Sequence, residues 1–187
     1  MRLFFCLELL PSVRESLYAI GDPLRRLEAR VAWVRAENLH VTMRFLGEVE
    51  PKRLEPLRAV GAECAQRVSR FELRFDRLGV FPNWGRPRVI WVGCRSAPEE
   101  IFCLQRELET ALQKLGFAPE ERFTPHVTLG RVKDESALAL KRLAEYAQKI
   151  ESFEYCAEIS SLTLMESRLT PQGAIYTPVS HFALGTG

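Results

Sequence analysis

Hydrophobic positions along this chain follow two periods, and the order in which the periods occur repeats. "RLFFCLEL" is an almost unbroken apolar run that predicts a buried first strand. From residue 11 to residue 29, Val13, Leu17, Ile20, Leu24 and Leu27 recur at helical spacing, and "GDP" at 21 to 23 breaks or kinks that helix. Two short strands are expected near Ala32–Arg35 and Leu39–Leu46. Residues 51 to 69 set Leu54, Leu57, Gly61, Cys64 and Val68 on one helical face, with Pro51 suited to a first turn. "FELRF" alternates and predicts a strand, and "RVIWVGC" predicts one buried on both faces.

The same order then returns. Ser96 followed by Glu99 has the spacing of a capping box, opening a helix through Ile101, Leu104, Leu108, Leu112 and Leu115 that Gly116 closes. "HVTLGRV" predicts a strand, Asp134 a helix cap, and the helix should run to about Gln148. Strands are expected at 152–157, 159–166 and 174–184. No low-complexity linker parts the halves, so the pattern predicts two α+β lobes, each a small antiparallel sheet backed by helices, sharing one core.

Composition narrows the partners. With 187 residues and 47% of them hydrophobic, the chain suffices for one sizeable domain or two intimate lobes. A formal charge of +2 implies no strong overall field, but 21 of the 26 basic residues are Arg and only 5 are Lys. A guanidinium fork matches phosphate geometry, although a GC-rich genome or thermal adaptation produces the same bias. The five cysteines are scattered without a CxxC and read as small buried residues of a reducing cytosol. The apolar start is too short to span a membrane and is interrupted by Glu8 and Pro11, so a cytoplasmic protein without a membrane partner is expected.

The candidate chemistry lies in two short stretches, "LHVTMRFLG" from residue 39 and "PHVTLGRVK" from residue 125. His40 and His126 are 126 − 40 = 86 residues apart, nearly half the chain, and account for two of its three histidines. In a strand, residues i and i+2 share a face, so each histidine lies beside Thr42 or Thr128 while Val41, Met43, Val127 and Leu129 face the other way. A single His-x-Thr is an ordinary structural motif, whereas one copy per lobe points to a shared site. Metal binding fits poorly, because no third ligand shares the face and Thr is a weak donor. A nucleophile triad needs one base and one orienting acid, not two equivalent bases. Two imidazoles, one neutral and one protonated, suit acid–base catalysis, and the hydroxyls suit an anion between them. A phosphodiester undergoing in-line displacement needs that combination.

"LHVTMRFLGEV" and "FTPHVTLGRV" resemble the paired HxTx motifs of the 2H phosphoesterase superfamily, and most closely its RNA 2′,3′-cyclic phosphodiesterases, also called 2′-5′ RNA ligases. The likeness extends through "RLFFCLEL", "VAWVRAENLHVTMRFLGEV", "GVFPNWGRPRVIWVG" and "IYTPVSHFAL", nearly the whole chain. The resemblance implies a single bilobal domain over residues 1–187, two pseudo-symmetric lobes around a central cleft with helices outside. It implies opening of RNA 2′,3′-cyclic phosphate ends to 2′-phosphates, without cofactor or metal, and joining or cleavage of 2′-5′ linkages in vitro by some members. Carried onto this sequence, it makes His40 and His126 the acid–base pair, Thr42 and Thr128 phosphate clamps, and Arg131 a phosphate contact. A monomer is expected. A cyclic phosphodiesterase for a small nucleotide, such as ADP-ribose 1″,2″-cyclic phosphate, would share these residues. A non-catalytic RNA-end binding module would not require two titrating groups.

Other residues carry two readings each. Arg131 has the wrong strand parity for the histidine face and reaches it only through a bulge, which Gly130 could supply. Phe123 either stacks on a base or plugs the lobe interface. "FPNWGRPR" mixes Phe81 and Trp84 with Arg86 and Arg88, a combination that suits single-stranded ends or simply fills a turn. Trp33 and Trp91 read as core, and His181, without an HxT partner, as a surface or structural histidine.

Overall fold

The computed structural model describes residues 1–120, 122–134 and 136–186. Its elements run β1 (Arg2–Glu8), α1 (Pro11–Ile20), α2 (Asp22–Arg25), β2 (Val31–Trp33), β3 (His40–Glu48), α3 (Leu54–Gln66), β4 (Phe71–Phe75), β5 (Arg77–Phe81), β6 (Val89–Gly93), α4 (Glu99–Lys114), β7 (His126–Val132), α5 (Ala137–Ala147), β8 (Tyr155–Ile159), β9 (Ser161–Thr170) and β10 (Gly173–Ala183). Short 3₁₀ turns at Ala36–Asn38 and Pro51–Arg53 lead into β3 and α3.

Strands β10-β9-β1-β3 form one half-sheet and β7-β6-β5 the other, with β2 laid on β7 and a separate β4-β8 pair. All strand pairs are antiparallel. The half-sheets join through one residue pair, Val41 opposite Val127, the central residues of the two motifs. Both valines are fully buried. Helices α3 and α4 pack on each other, α3 against β9 and β10, and α4 against β3. α1 lies on β8 and α2 on α5. The lobes therefore interleave, since α4 from the second half of the chain covers the β3 half-sheet. β1 is interior to its half-sheet, which is why it reads as a continuous apolar run: Leu3, Phe5 and Leu7 enter the main core, while Phe4 and Cys6 pack with Met165 on the opposite face.

The two motif strands share one irregularity. β3 and β7 both begin with the burial sequence half-buried, buried, half-buried, buried, buried, exposed, buried. Phe5 pairs with Arg44 and Cys6 with Thr42, which leaves Met43 as an extra residue. Ile90 pairs with Gly130 and Trp91 with Thr128, which leaves Leu129 as its counterpart. Each bulge shifts the alternation by one, so Phe45 and Arg131, both five residues after a histidine, return to the histidine face. The position turned inward differs. Gly130 lies under β2, where a Cβ would come within 2.7 Å of Val31 and 2.8 Å of Trp33. Arg44 is held 2.9 Å from Glu109 of α4 and donates to the carbonyls of Phe45 and Ala118.

Several local expectations are corrected. Ser96 does not cap α4; Pro98 is the N-cap residue and no side chain bonds the first turn. A proline confines the residue before it to extended backbone, so the helix begins only after Pro98, and Glu99 turns to Arg106 at 2.7 Å. Asp134 does not cap α5. Ser136 does, accepting from Ala139 N at 3.4 Å, while Asp134 accepts from the backbone N of Ser136 and of Arg30. β8 starts three residues later than expected. β5 was masked in the sequence by Gly79, which is opposite Trp91 and leaves room for its indole. Cys6 and Cys64 are buried as expected, but Cys156 is exposed.

Arg44→Ala leaves the Glu109 carboxylate, itself only 13% exposed, without its cation. Loss of one partner from such a pair destabilises by about 3–5 kcal/mol. Denaturant unfolding of the variant should show an unfolding free energy lowered by that amount and a correspondingly lower midpoint, and an unchanged midpoint would mean that the pair contributes nothing to stability.

Candidate active site

Antiparallel continuation from the Val41–Val127 pair sets His40 opposite Thr128 and Thr42 opposite His126. With the valines turned into the core, all four polar side chains face the open side of the sheet. They line one cavity of about 370 Å³, together with Arg131 and residues of both lobes.

The histidines are held alike at one ring nitrogen. His40 Nδ1 is 2.7 Å from the carbonyl of Asn38, and His126 Nδ1 is 2.7 Å from the carbonyl of Thr124, in each case two residues upstream. A carbonyl only accepts, so each Nδ1 carries a proton and each neutral ring keeps its lone pair at Nε2. Nε2 of His40 lies 3.0 Å from the Thr42 hydroxyl. The ring walls differ. Phe4 and Tyr176 contact His40 at centroid distances of 5.0 and 5.2 Å. Phe81 meets His126 edge-on at 5.1 Å, with Trp91 at 6.2 Å.

Both imidazoles titrate below the ordinary value of 6.5, chiefly because burial disfavours the cation. Smaller effects separate them. The Glu8 carboxylate favours the charged form of His40, whereas Arg131 opposes it at His126. His40 also feels His126 as a like charge.

The sequence-derived residues fall into three groups. His40, His126, Thr42, Thr128 and Arg131 all line the cavity, Arg131 by way of the bulge. Phe81 is not a cavity-lining residue; its ring supports His126 and Trp91. Phe123 does not line the cavity either, packing edge-on against Phe102 of α4. Trp33, expected in the core, forms part of the cavity wall. Trp84 packs against the core, while Arg86 and Arg88 line a separate small pocket. His181 bonds Thr163 at 3.0 Å and pairs with Glu8 at 3.2 Å.

The sequence reading missed Phe45, Arg2, Phe4, Asn38 and Tyr176. Phe45 had a signal, its offset of five from His40 matching that of Arg131 from His126. It is 40% exposed, with the Arg2 guanidinium over its ring at 5.0 Å. Phe4 and Tyr176 had none, because strand order alone brings them to the cavity. Among the described residues no three His, Cys, Asp or Glu side chains converge as a metal site. No helix among them is long and apolar enough to cross a membrane.

Comparison with known proteins follows this geometry. Residues 7–91 and 92–176 each match the family described as LigT like Phosphoesterase, which makes the internal repeat explicit. A protein of Methanothermobacter thermautotrophicus named RNA 2′,3′-cyclic phosphodiesterase is 35% identical over 185 residues, 98% of this chain and 99% of its own. One of the same name from Aeropyrum pernix is 38% identical over 171 residues, 89% of this chain and 90% of its own. A crystal structure from Thermus thermophilus superposes with a TM-score of 0.84 at 27% identity, covering 100% of both chains. Escherichia coli LigT complexed with NADP+ superposes with a TM-score of 0.78 at 30% identity, covering 98% of this chain and 97% of that one. With a family match over most of its length and twin HxT strands converging on one cavity, the chain belongs to the LigT-like phosphoesterases of the 2H superfamily.

Proposed function

We propose that this protein is a metal-independent phosphodiesterase that opens 2′,3′-cyclic phosphate ends of RNA to 2′-phosphates. The observation that carries this reading is the pair of Nδ1-anchored histidines, each sharing its strand face with a threonine hydroxyl, on neighbouring strands that line one cavity with Arg131. The names of the full-length relatives support the substrate class.

In this mechanism the cyclic phosphate sits between the motifs. Thr42 and Thr128 donate hydroxyl protons to its non-bridging oxygens, and Arg131 forks onto the same charge. His126 Nε2 takes a proton from water as the water oxygen bonds to phosphorus. The P–O3′ bond breaks in line, and His40 Nε2 delivers its proton to the departing O3′. Burial, with Arg131 added to it, favours a neutral His126 for the base role; at His40 Glu8 favours the protonated form, against burial and the like charge of His126. Phe45, the pseudo-symmetric counterpart of Arg131, offers the terminal base an exposed ring. In this reading a phosphate-binding cation and a stacking surface occupy equivalent points around one site.

The decisive assay offers a 2′,3′-cyclic-phosphate oligonucleotide and ADP-ribose 1″,2″-cyclic phosphate in EDTA, and locates the phosphate in each product. Turnover of the RNA end to a 2′-phosphate is expected, and dependence on an added divalent ion would overturn the two-histidine mechanism. His40→Ala and His126→Ala should each lose about 10²–10⁴-fold in kcat. Thr42→Ala and Thr128→Ala should lose less, since a neutral hydrogen bond contributes only about 0.5–1.5 kcal/mol. Threonine variants as inactive as the histidine variants would contradict the clamp role.

The pH profile follows from the histidine environments. Both rings are neutral in the free protein at pH 7, because burial holds both below 6.5. The active form has one ring protonated, so kcat/KM should be bell-shaped with its optimum on the acid side of 6.5. The limbs belong to the coupled pair. An optimum above pH 8 would rule out this pair as the titrating groups.

Phe45 and Arg131 should fail differently. Phe45→Ala should raise KM about tenfold with kcat little changed, as stacking on an aromatic ring is worth about 1–3 kcal/mol per base. Arg131→Lys keeps the charge but loses the fork, and should lower kcat/KM. Wild-type kinetics in both variants would empty the site of its two distinguishing contacts.

A further inference from the structure

His40 and His126 have equivalent anchors at Nδ1, but among the described residues only the Asn38 anchor is tied by its side chain to another part of the fold. The carbonyl that holds His126 belongs to Thr124, in the segment just before β7. The carbonyl that holds His40 belongs to Asn38, whose side-chain amide reaches across 136 residues of sequence and donates to the Ala174 carbonyl at 2.9 Å. The amide must present nitrogen here, since two facing oxygens would repel. Ala174 lies on β10, the edge strand of its half-sheet, where backbone carbonyls lack a ladder partner on one side. One residue before the 3₁₀ turn, Arg35 makes a second tie, donating to the Gln172 carbonyl at 3.3 Å. The β9–β10 hairpin thus lies along the cavity as an arm strapped to the turn that carries the His40 anchor. Tyr176, on the same arm, closes edge-on against the His40 ring at 5.2 Å.

We infer that Asn38 is a positioning residue: its side chain, latched to the arm, fixes the backbone carbonyl that holds His40 in the Nδ1-protonated tautomer with Nε2 in the cavity. The inference rests on the cyclic-phosphodiesterase reading only for its kinetic consequence, not for its structural one. A 3₁₀ turn of three residues has little stiffness of its own, and its end is held by the Asn38–Ala174 bond. The Leu39 N to Ala36 O bond at 3.1 Å closes the turn, and Arg14 of α1 holds the Glu37 carbonyl at 2.8 Å from the outer side, so the arm supplies the tie at residue 38 itself, on the cavity side. A donor at residue 38 therefore sets the direction in which the proton-transferring nitrogen points. Among the described residues no equivalent tie holds Thr124, the anchor of His126, so the device acts on one half of the reaction. If His40 is the acid, the half affected is protonation of the leaving oxygen.

The test is Asn38→Asp, which is nearly isosteric but replaces the donor with a charged acceptor facing the Ala174 carbonyl, alongside Asn38→Ala. Ring ¹⁵N shifts of histidine at pH 8 read the tautomer directly. The expected result is a single Nδ1–H tautomer for both histidines in the wild type, and a tautomer mixture at His40 alone in both variants. With a 2′,3′-cyclic nucleotide, kcat should fall about tenfold to a hundredfold, the range for loss of a partner that orients a histidine ring. KM should change little, and a substrate whose leaving group needs no protonation should recover most of the loss. A general loss of folding would instead broaden His126 and His181 as well. Unchanged His40 shifts in both variants would overturn the inference, as would a kcat loss that persists with the activated leaving group. If the wild type turns over no cyclic phosphate at all, the function reading fails, while the tautomer measurement still decides the role of Asn38.

Discussion

The single residue pair Val41–Val127 sets the geometry on which the site depends. Two half-sheets could meet in many registers, but a strand alternates faces, and a slip of one residue would turn one motif strand over and send its histidine into the core. With both valines fully buried, that slip would also expose one of them and bury the histidine and threonine of the same strand. Burial at the junction thus selects the register, and the register delivers His40, Thr42, His126 and Thr128 to one side. The catalytic arrangement is a by-product of packing the central residue of each motif.

The bulges extend the same logic. Met43 and Leu129 are the extra residues in equivalent strands, and each hands its face to the residue five beyond the histidine. In one copy that residue is Arg131 and in the other Phe45. The inward neighbours diverge to match their surroundings: Gly130 makes room for β2, and Arg44 ties β3 to α4 through Glu109. A duplicated backbone has been kept, and the side chains at its equivalent points have been set to different tasks.

How much of this could be read from the sequence depended on whether the signal was local. The histidines, the threonines and the parity problem at Arg131 were all visible, because strand alternation is a property of neighbouring residues and the motif occurs twice. The helices through Leu57 and Leu104 were legible for the same reason. The start of α4 was not, because Pro98 overrode the Ser96–Glu99 spacing. β5 was hidden by Gly79, which breaks a strand pattern in order to seat Trp91. Phe4 and Tyr176 were out of reach, since their presence at the cavity depends on the strand order β10-β9-β1-β3 and not on any spacing. Phe45 was legible in principle from its offset, but only to a reading that treats the two motifs as copies over their whole length.

A symmetric scaffold poses a problem for an asymmetric reaction. In the proposed mechanism one histidine releases a proton and the other accepts one, yet both rings share the same Nδ1 anchor and the same threonine spacing. The difference must come from what lies beyond the motifs. Near His40 stand a carboxylate, Glu8, and an arm that holds Tyr176 against the ring. Near His126 stand a guanidinium, Arg131, and the aromatic pair Phe81 and Trp91. Burial depresses both rings; Arg131 adds to that at His126, while at His40 the Glu8 carboxylate favours the imidazolium by less than the like charge of His126 opposes it. Any division of labour between the two motifs has to come from such neighbours, because the motifs themselves offer the same anchor and the same hydroxyl, and the charges at positions 8 and 131 are where the two surroundings differ in sign.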